Sequence, residues 1–213
     1  MEEDLKNTIE EVDNVPTVIK KIKKEVCTEQ YQLISIDGRS GSGKTMLSTE
    51  ITQQLNIEHI NLDDDDYLKK KQDEFVDAIK YGSLLSKIEV ARKENKPILI
   101  EGICIIKILE RIKVIPTFKI YVKKTIVGGF WLDGTDYDYT IPLENTLQRL
   151  EEELKKITEI TSKIDKEDIS ENCTKEGITI ETLRYHYEYH PDLEADWTSL
   201  TLQDSERSHK LTL

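Results

Sequence analysis

ISIDGRSGSGKTMLSTEI, residues 34–51, contains three glycines within six positions, followed by a lysine and a threonine. Residues 38–45 match the Walker A pattern G-x-x-x-x-G-K-[S/T], in which glycines let successive backbone N–H groups turn toward an anion. The helix that follows adds its positive N-terminal end. Lys44 would reach the β- and γ-phosphates, and the Thr45 hydroxyl would bind Mg²⁺. The other predicted nucleotide-binding residues are Gly38, Ser40, Gly41, Ser42 and Gly43.

The flanks of this loop fit a strand–loop–helix unit. Residues 32–36, QLISI, form a short apolar run typical of a buried strand, and residues 46–55 can form a helix. A Gly/Ser-rich linker, the alternative, would need neither these flanks nor the Lys-Thr pair. The sequence therefore predicts ATP binding with Mg²⁺ as cofactor.

Length and composition indicate one domain. The chain has 213 residues, 37% of them hydrophobic and 34% charged, enough for one α/β domain with a sizeable core. No apolar run approaches the roughly 18 to 20 residues that span a bilayer. The acidic N-terminus lacks the apolar centre of a secretory signal. We therefore predict a cytoplasmic protein without a membrane partner.

Charge and cysteine content exclude further classes. A net charge of −12 repels a phosphate backbone, so no nucleic-acid partner is expected. Cys27, Cys104 and Cys173 are widely spaced and form no C-x-x-C pair. This favours reduced thiols over a disulfide framework or a zinc site.

Apolar runs alternate with helical patterns along residues 32–122. Such alternation predicts an α/β, three-layer P-loop fold, with a central parallel sheet of about five strands and helices on both faces. The predicted strands are 32–37, 58–62, 97–100 and 118–122, and the predicted helices are 46–55, 71–93 and 105–112.

The remaining segments are predicted to decorate a single domain, residues 1–213. They are an N-terminal helical extension (1–30, interrupted at Pro16), a lid-like hairpin insertion (125–142), a charged helix (143–160), a linker (164–176), a helix ending at Pro191, and a tail (199–213). In a parallel sheet, ligands bind at the carboxyl ends of the strands. Besides the loop, the polar clusters at such ends are residues 63–66, which are four aspartates, and Glu101.

The four aspartates have two interpretations. They can cap a helix or lie in solvent, or one can orient an acceptor hydroxyl and take its proton during phosphoryl transfer. At this point the chain resembles the uridine kinase-like group of P-loop kinases, which is related to the nucleoside monophosphate kinases. The resemblance rests on GRSGSGKT (38–45), DDDDY (63–67), ILIEG (98–102) and YHYEYHPDLEAD (185–196).

The resemblance implies roles for several carboxylates. Members carry an Asp-x-Phe/Tyr motif whose first Asp acts on the acceptor hydroxyl, and Asp65 of Asp65-Asp66-Tyr67 fits that spacing best. If the strand end fixes the register, Asp63 or Asp64 has this role instead. Glu101 matches the strand-end acid that contacts Mg²⁺-bound water or substrate.

One departure from the resemblance concerns arginines. Such kinases carry lid arginines soon after the last core strand, but Lys123 and Lys124 are followed by no arginine before Arg149 and Arg184. Arg184 is the preferred substitute because it adjoins the resembling segment, and a surface ion pair is the alternative for both.

The aromatic insertion also has two interpretations. Its residues Phe130, Trp131, Tyr137 and Tyr139 could stack on a base, with Asp133 or Asp136 at its polar edge, or pack as a flap. The sequence thus predicts a kinase that transfers the γ-phosphoryl of ATP to a hydroxyl of a nucleoside-like small molecule. The alternatives are a nucleotide-binding regulatory module with little transfer activity, and a kinase for a sugar nucleotide or a vitamin precursor.

Overall fold

The structure, a computed structural model, describes residues 10–12, 15–25, 30–69, 74–125, 139–161 and 180–202. Strands and helices alternate through most of this part of the chain. They are β1 (Glu10–Val12), α1 (Val15–Glu25), β2 (Leu33–Gly38), α2 (Lys44–Leu55), β3 (Glu58–Asn61), α3 (Phe75–Ala78), α4 (Tyr81–Lys93), β4 (Ile98–Glu101), α5 (Ile105–Arg111), β5 (Phe118–Thr125), α6 (Leu143–Thr161), α7 (180–189) and β6 (Trp197–Leu202).

The described strands form one parallel sheet in the order β1-β6-β5-β2-β4-β3. The predicted α/β architecture is confirmed, and the four strands predicted from the sequence are the adjacent strands β5, β2, β4 and β3. The described sheet has six strands rather than about five, because β1 and β6 extend one edge. Since all pairs are parallel, the carboxyl ends of β2, β3 and β4 lie at the same edge.

Helices cover both faces of the sheet. Ile34 and Ile36 of β2 pack with buried residues of α1 and α2, whereas Leu33 packs with those of α4 and α5. Because β2 is covered on both sides, its side chains are buried throughout. Even Ser35 and Asp37, which alternate with Ile34 and Ile36, are buried, as expected for a parallel strand covered on both faces.

The N-terminal extension differs from its prediction. Residues 10–12 form β1 and pair with β6, although their apolar spacing suggested a helix. Pairing with a distant strand thus overrides a weak local preference. Pro16 lies in the first turn of α1 rather than breaking a helix, since that turn leaves its N–H groups without helical acceptors.

The predicted helix over 71–93 is two helices in the described residues. Ile79 adopts an extended conformation (φ −64°, ψ 135°) and forms an antiparallel bridge with Leu68. Two backbone hydrogen bonds reinforce this break, Lys69 N to Ala78 O (2.8 Å) and Lys80 N to Tyr67 O (2.7 Å). The break therefore ties the segment after the acidic run to the helical layer.

The C-terminal segment contains a strand that was not predicted. Residues 197–202, which include the start of the predicted tail, form β6 between β1 and β5. The predicted linker 164–176, most of the insertion 125–142 and residues 203–213 lie outside the described residues.

Candidate nucleotide-binding site

The loop between β2 and α2 has the backbone that its glycines suggest. Gly38, Gly41 and Gly43 have φ angles of 147°, 72° and 99°, in the region that favours glycine. Ser42 N donates to Arg39 O (3.1 Å) and closes a turn. Ser40 and Gly41 are exposed while Ser42 is buried, so the middle of the loop faces solvent.

Gly38 is required for a second reason. A Cβ atom at this position would lie 2.5 Å from the carbonyl oxygen of Val122 in β5 and 2.9 Å from Ser42 Oγ. The first of these neighbours is backbone, which cannot move aside cheaply. The chain therefore leaves the sheet through a gap that fits only glycine.

Lys44 begins α2 and is largely buried. Its Nζ donates to the carbonyl oxygen of Arg39 (2.8 Å), so the side chain folds back along the loop. Burial lowers the pKa of Lys44, and the carboxylates of Asp37, Asp63 and Glu101 act in the opposite direction. The ammonium group thus lies within the field of three acids.

Thr45, the predicted Mg²⁺ ligand, follows Lys44 in the first turn of α2 and is exposed. Its carbonyl oxygen accepts hydrogen bonds from the hydroxyls of Ser48 (3.1 Å) and Thr49 (2.6 Å). Thr45 therefore shares the start of α2 with Lys44, where the helix dipole favours an anion.

Glu101 ends β4, and its side chain is 1% exposed. Neither carboxylate oxygen has a hydrogen-bond partner among the described residues. His59 Nε2 lies 3.2 Å from Glu101 Oε1, but without hydrogen-bond geometry. A buried carboxylate in this state is costly unless a cation or water completes it.

The four aspartates follow β3 in a series of turns and are all exposed. Asp63 interacts electrostatically with Lys44 and Glu101. Partial removal of its carboxylate from water raises the pKa of Asp63. Lys44 opposes this rise, and Glu101 and Asp64 add to it. The backbone carbonyl of Asp65 accepts a hydrogen bond from Lys80 Nζ (2.5 Å). The preference for Asp65 over Asp64 and Asp63 stays a prediction from spacing.

Asp37 is a site residue that the sequence did not single out. It is buried in β2, one residue before the loop begins at Gly38. Its Oδ1 accepts a hydrogen bond from Gly38 N (2.7 Å). Its Oδ2 accepts Ile105 N (3.2 Å) and the hydroxyl of Tyr185. Burial raises the pKa of Asp37 to about 6, against the lowering effects of these hydrogen bonds and of Lys44. The available signal was an acid at the end of an apolar strand.

Tyr185 and His186 of α7 reach the sheet from the C-terminal part of the chain. His186 Nδ1 lies 2.7 Å from the carbonyl oxygen of Thr182, which can only accept, so Nδ1 carries the proton. Its Nε2 therefore accepts from the Tyr121 hydroxyl (2.6 Å). Burial lowers the pKa of His186 to about 4, which keeps the ring neutral.

The two arginines predicted to replace the lid are exposed. Arg184 lies on α7 beside the buried Tyr185, and Arg149 lies on α6. Their role in phosphoryl transfer stays a prediction.

Most of the predicted aromatic insertion lies outside the described residues, including Phe130, Trp131, Asp133, Asp136 and Tyr137. Tyr139 is described, and its hydroxyl donates to Asp192 Oδ1 (2.6 Å). Its ring meets those of His190 and Tyr187 edge-on, with centroids 4.4 and 5.5 Å away. Tyr139 thus has the packed arrangement of the flap interpretation.

The described residues contain no group of three or more His, Cys, Asp or Glu side chains that could hold a metal ion. None of the described helices is long and apolar enough to cross a bilayer.

Comparison with known proteins gives only distant structural similarity. No protein-family model matches the sequence, and no curated protein matches it. A candidate uridine kinase from Bacillus stearothermophilus is 16% identical, with a TM-score of 0.38 over 58% of this chain and 88% of that one. A candidate fructose transport system kinase from Silicibacter sp. TM1040 is 13% identical, with a TM-score of 0.48 over 88% of this chain and 99% of that one. Since both TM-scores are below 0.5, the residue assignments rest on this chain's own geometry.

Proposed function

We propose that this protein is a kinase that transfers the γ-phosphoryl group of ATP to a hydroxyl of a nucleoside-like small molecule. The observation that carries the proposal is the meeting of three features at one sheet edge. They are a glycine loop with Lys44 at a helix start, a buried Glu101 whose oxygens accept no hydrogen bond from the described residues, and Asp63, which interacts electrostatically with Lys44 and Glu101. Loop, cation ligand and proton acceptor are the parts that phosphoryl transfer requires.

The residues present fit a magnesium nucleotide. Mg²⁺ typically takes one or two protein oxygens and completes its shell with water and phosphate oxygens. Glu101 offers such oxygens, and Thr45 offers a hydroxyl at the start of α2. Bound there, the ion would neutralise charge on the β- and γ-phosphates.

Lys44 and the loop would bind the phosphates. The Lys44 ammonium already donates to a loop carbonyl, and a phosphate oxygen is a stronger acceptor for it. The nearby acids Asp37, Asp63 and Glu101 favour its charged form despite burial. We therefore assign Lys44 the role of a fixed positive charge rather than a proton donor.

We assign the proton-accepting role to Asp63, the register alternative set by the strand end. The acceptor's O–H proton would pass to the Asp63 carboxylate while the new O–P bond forms and the bond from γ-phosphorus to ADP breaks. A raised pKa suits this role, because a stronger base takes the proton more readily. Asp65, which fits the motif spacing, is the competing assignment.

A regulatory module that binds nucleotide with little transfer activity is the second candidate. The exposure of Arg149 and Arg184 favours it, since a transition-state charge needs an arginine or an equivalent donor directed at the phosphates. The two candidates differ in turnover and share nucleotide binding.

The decisive experiment measures ADP formation with Mg-ATP against nucleosides, nucleotides, sugar nucleotides and vitamin precursors. We expect turnover with at least one hydroxyl acceptor, most rapidly with a nucleoside. Lys44→Ala should abolish ATP binding in calorimetry without loss of the circular dichroism spectrum. Unchanged binding in Lys44→Ala would overturn the phosphate-loop assignment, and binding without turnover on any acceptor would favour the regulatory module.

The same assay separates the two aspartates. Asp63→Asn should lower kcat by about 100-fold or more, the usual range for a proton-handling group, and leave ATP affinity nearly unchanged. Asp65→Asn is the matched variant. If Asp65→Asn loses turnover and Asp63→Asn does not, the motif spacing rather than the strand end sets the register.

A further inference from the structure

Asp37 lies immediately before the phosphate loop, and both of its carboxylate oxygens accept hydrogen bonds. One oxygen accepts the N–H of Gly38, the first loop residue, at 2.7 Å. The other accepts Ile105 N, at the start of α5, and the Tyr185 hydroxyl. Because Gly38 also fits tightly against β5, the direction in which the loop leaves the sheet depends on this carboxylate.

Tyr185 supplies the link between Asp37 and the C-terminal helix. It is fully buried, and its hydroxyl donates to Asp37 while accepting Ile106 N (3.3 Å). The hydroxyl therefore both donates and accepts, which fixes it between Asp37 and α5. Removing it would leave a buried carboxylate with one donor fewer.

The same face of α7 also accepts hydrogen bonds from α3, the helix that follows the acidic run. Glu181, one turn before Tyr185, accepts Phe75 N (2.5 Å) and Val76 N (3.0 Å) at the start of α3. The end of α3 is hydrogen-bonded to the segment after the aspartates, through Lys69 N to Ala78 O. One helix face thus contacts both Asp37, which adjoins the phosphate loop, and α3, which is attached to the segment after the acidic run.

We propose that Asp37 in β2 and Tyr185 on α7 are positioning residues. Together they hold the phosphate loop in its nucleotide-binding shape. This inference rests on the proposed function. Neither side chain would touch the reacting atoms, so both act through the backbone of Gly38. Loss of the Tyr185 hydroxyl should therefore weaken ATP binding more than it slows transfer.

The test compares Tyr185→Phe with Tyr189→Phe. Tyr189 lies one turn later on α7, and its hydroxyl donates to Glu110 (2.5 Å) instead of to Asp37. Tyr185→Phe should raise the KM and Kd for Mg-ATP about tenfold, as the loss of one hydrogen bond to a charged group allows, with kcat within about twofold. Tyr189→Phe should leave KM, Kd and kcat unchanged.

The pH dependence of ATP affinity adds a measurement that loss of packing alone would not change. The Tyr185 hydrogen bond lowers the pKa of Asp37, which is also faced by Lys44 from α2 and by Cys104 before α5. In Tyr185→Phe the pH at which ATP affinity changes should therefore move upward. It should stay at the wild-type value in Tyr189→Phe.

The outcomes distinguish this inference from the proposed function. Wild-type protein that neither binds nor consumes ATP would overturn both. Wild-type binding with equal affinities in the two variants would overturn the positioning role alone, as would a loss of kcat at unchanged KM in Tyr185→Phe. If Tyr185→Phe does not fold, Asp37→Asn is the second variant, and normal ATP affinity in it would overturn the inference.

Discussion

Two buried groups should give opposite contributions to the pH dependence of stability, and single substitutions should separate them. The pKa of Asp37 rises from 3.8 to about 6 on folding, and that of His186 falls from 6.5 to about 4. Each shift is worth about 3 kcal/mol, since one unit corresponds to about 1.4 kcal/mol. Both groups are nearly inaccessible to solvent, at 5% and 1% exposed.

The signs follow from which state binds more protons. Between about pH 4 and pH 6 the folded state holds a proton on Asp37 that the unfolded state has lost, so this stabilisation disappears as pH rises. For His186 the unfolded state holds the extra proton, so stability increases over nearly the same range. In the wild-type protein the two contributions therefore largely cancel.

Urea denaturation of wild type, Asp37→Asn and His186→Gln from about pH 3.5 to about pH 7 tests this cancellation. Relative to wild type, Asp37→Asn should gain about 2 to 3 kcal/mol of stability as pH rises, and His186→Gln should lose a similar amount. The exposed Glu89→Gln, on α4, controls for the loss of one charge. Difference curves that are flat, or that slope the same way in both variants, would refute the buried positions of these two groups.

Three further predictions concern the loop and the charges around it. Gly38→Ala should lower the free energy of unfolding by several kcal/mol and abolish ATP binding, because its Cβ would meet the Val122 carbonyl. Gly82→Ala, in open space on α4, should instead raise the free energy of unfolding by about 0.5 to 1 kcal/mol. Chemical denaturation measures both changes. Glu101→Gln should raise the Mg²⁺ concentration needed for half-maximal turnover about tenfold or more, and an unchanged requirement would exclude Glu101 as a ligand. Arg184→Lys, and less so Arg149→Lys, should slow single turnover at saturating ATP without loss of ATP affinity, because a point charge does not replace a guanidinium fork. If both variants are fully active, neither arginine serves as the lid residue.

The parts of the fold that the sequence predicts are those encoded locally. Glycine spacing determines the loop between β2 and α2, and short apolar runs determine β2, β3, β4 and β5. Glu101 could be placed at a strand end because ILIEG changes from apolar to acidic within one residue. Each of these signals needs no knowledge of what packs against the segment.

The parts that escaped prediction depend on hydrogen bonds to other segments of the chain. Residues 10–12 become a strand only because residues 197–199 lie beside them in the sheet. The helix predicted over 71–93 breaks at Ile79 because the backbone around it bonds to residues 67–69. In both cases backbone hydrogen bonds to another segment outweigh a local helical periodicity, which is worth only about tenths of a kcal/mol per residue.

The charge balance around Lys44 is also a consequence of topology. Asp37, Asp63 and Glu101 come from the ends of three strands that are separate in the sequence, and parallel pairing brings them to one ammonium group. Their combined charge exceeds that of Lys44, so an anionic nucleotide alone would meet a site with excess negative charge. A divalent cation entering with the phosphates would reverse that balance and bind the Glu101 oxygens, which accept no hydrogen bond in the described part of the chain. For the proposed kinase, ATP affinity should therefore depend on Mg²⁺ more steeply than a glycine loop and one lysine would require by themselves.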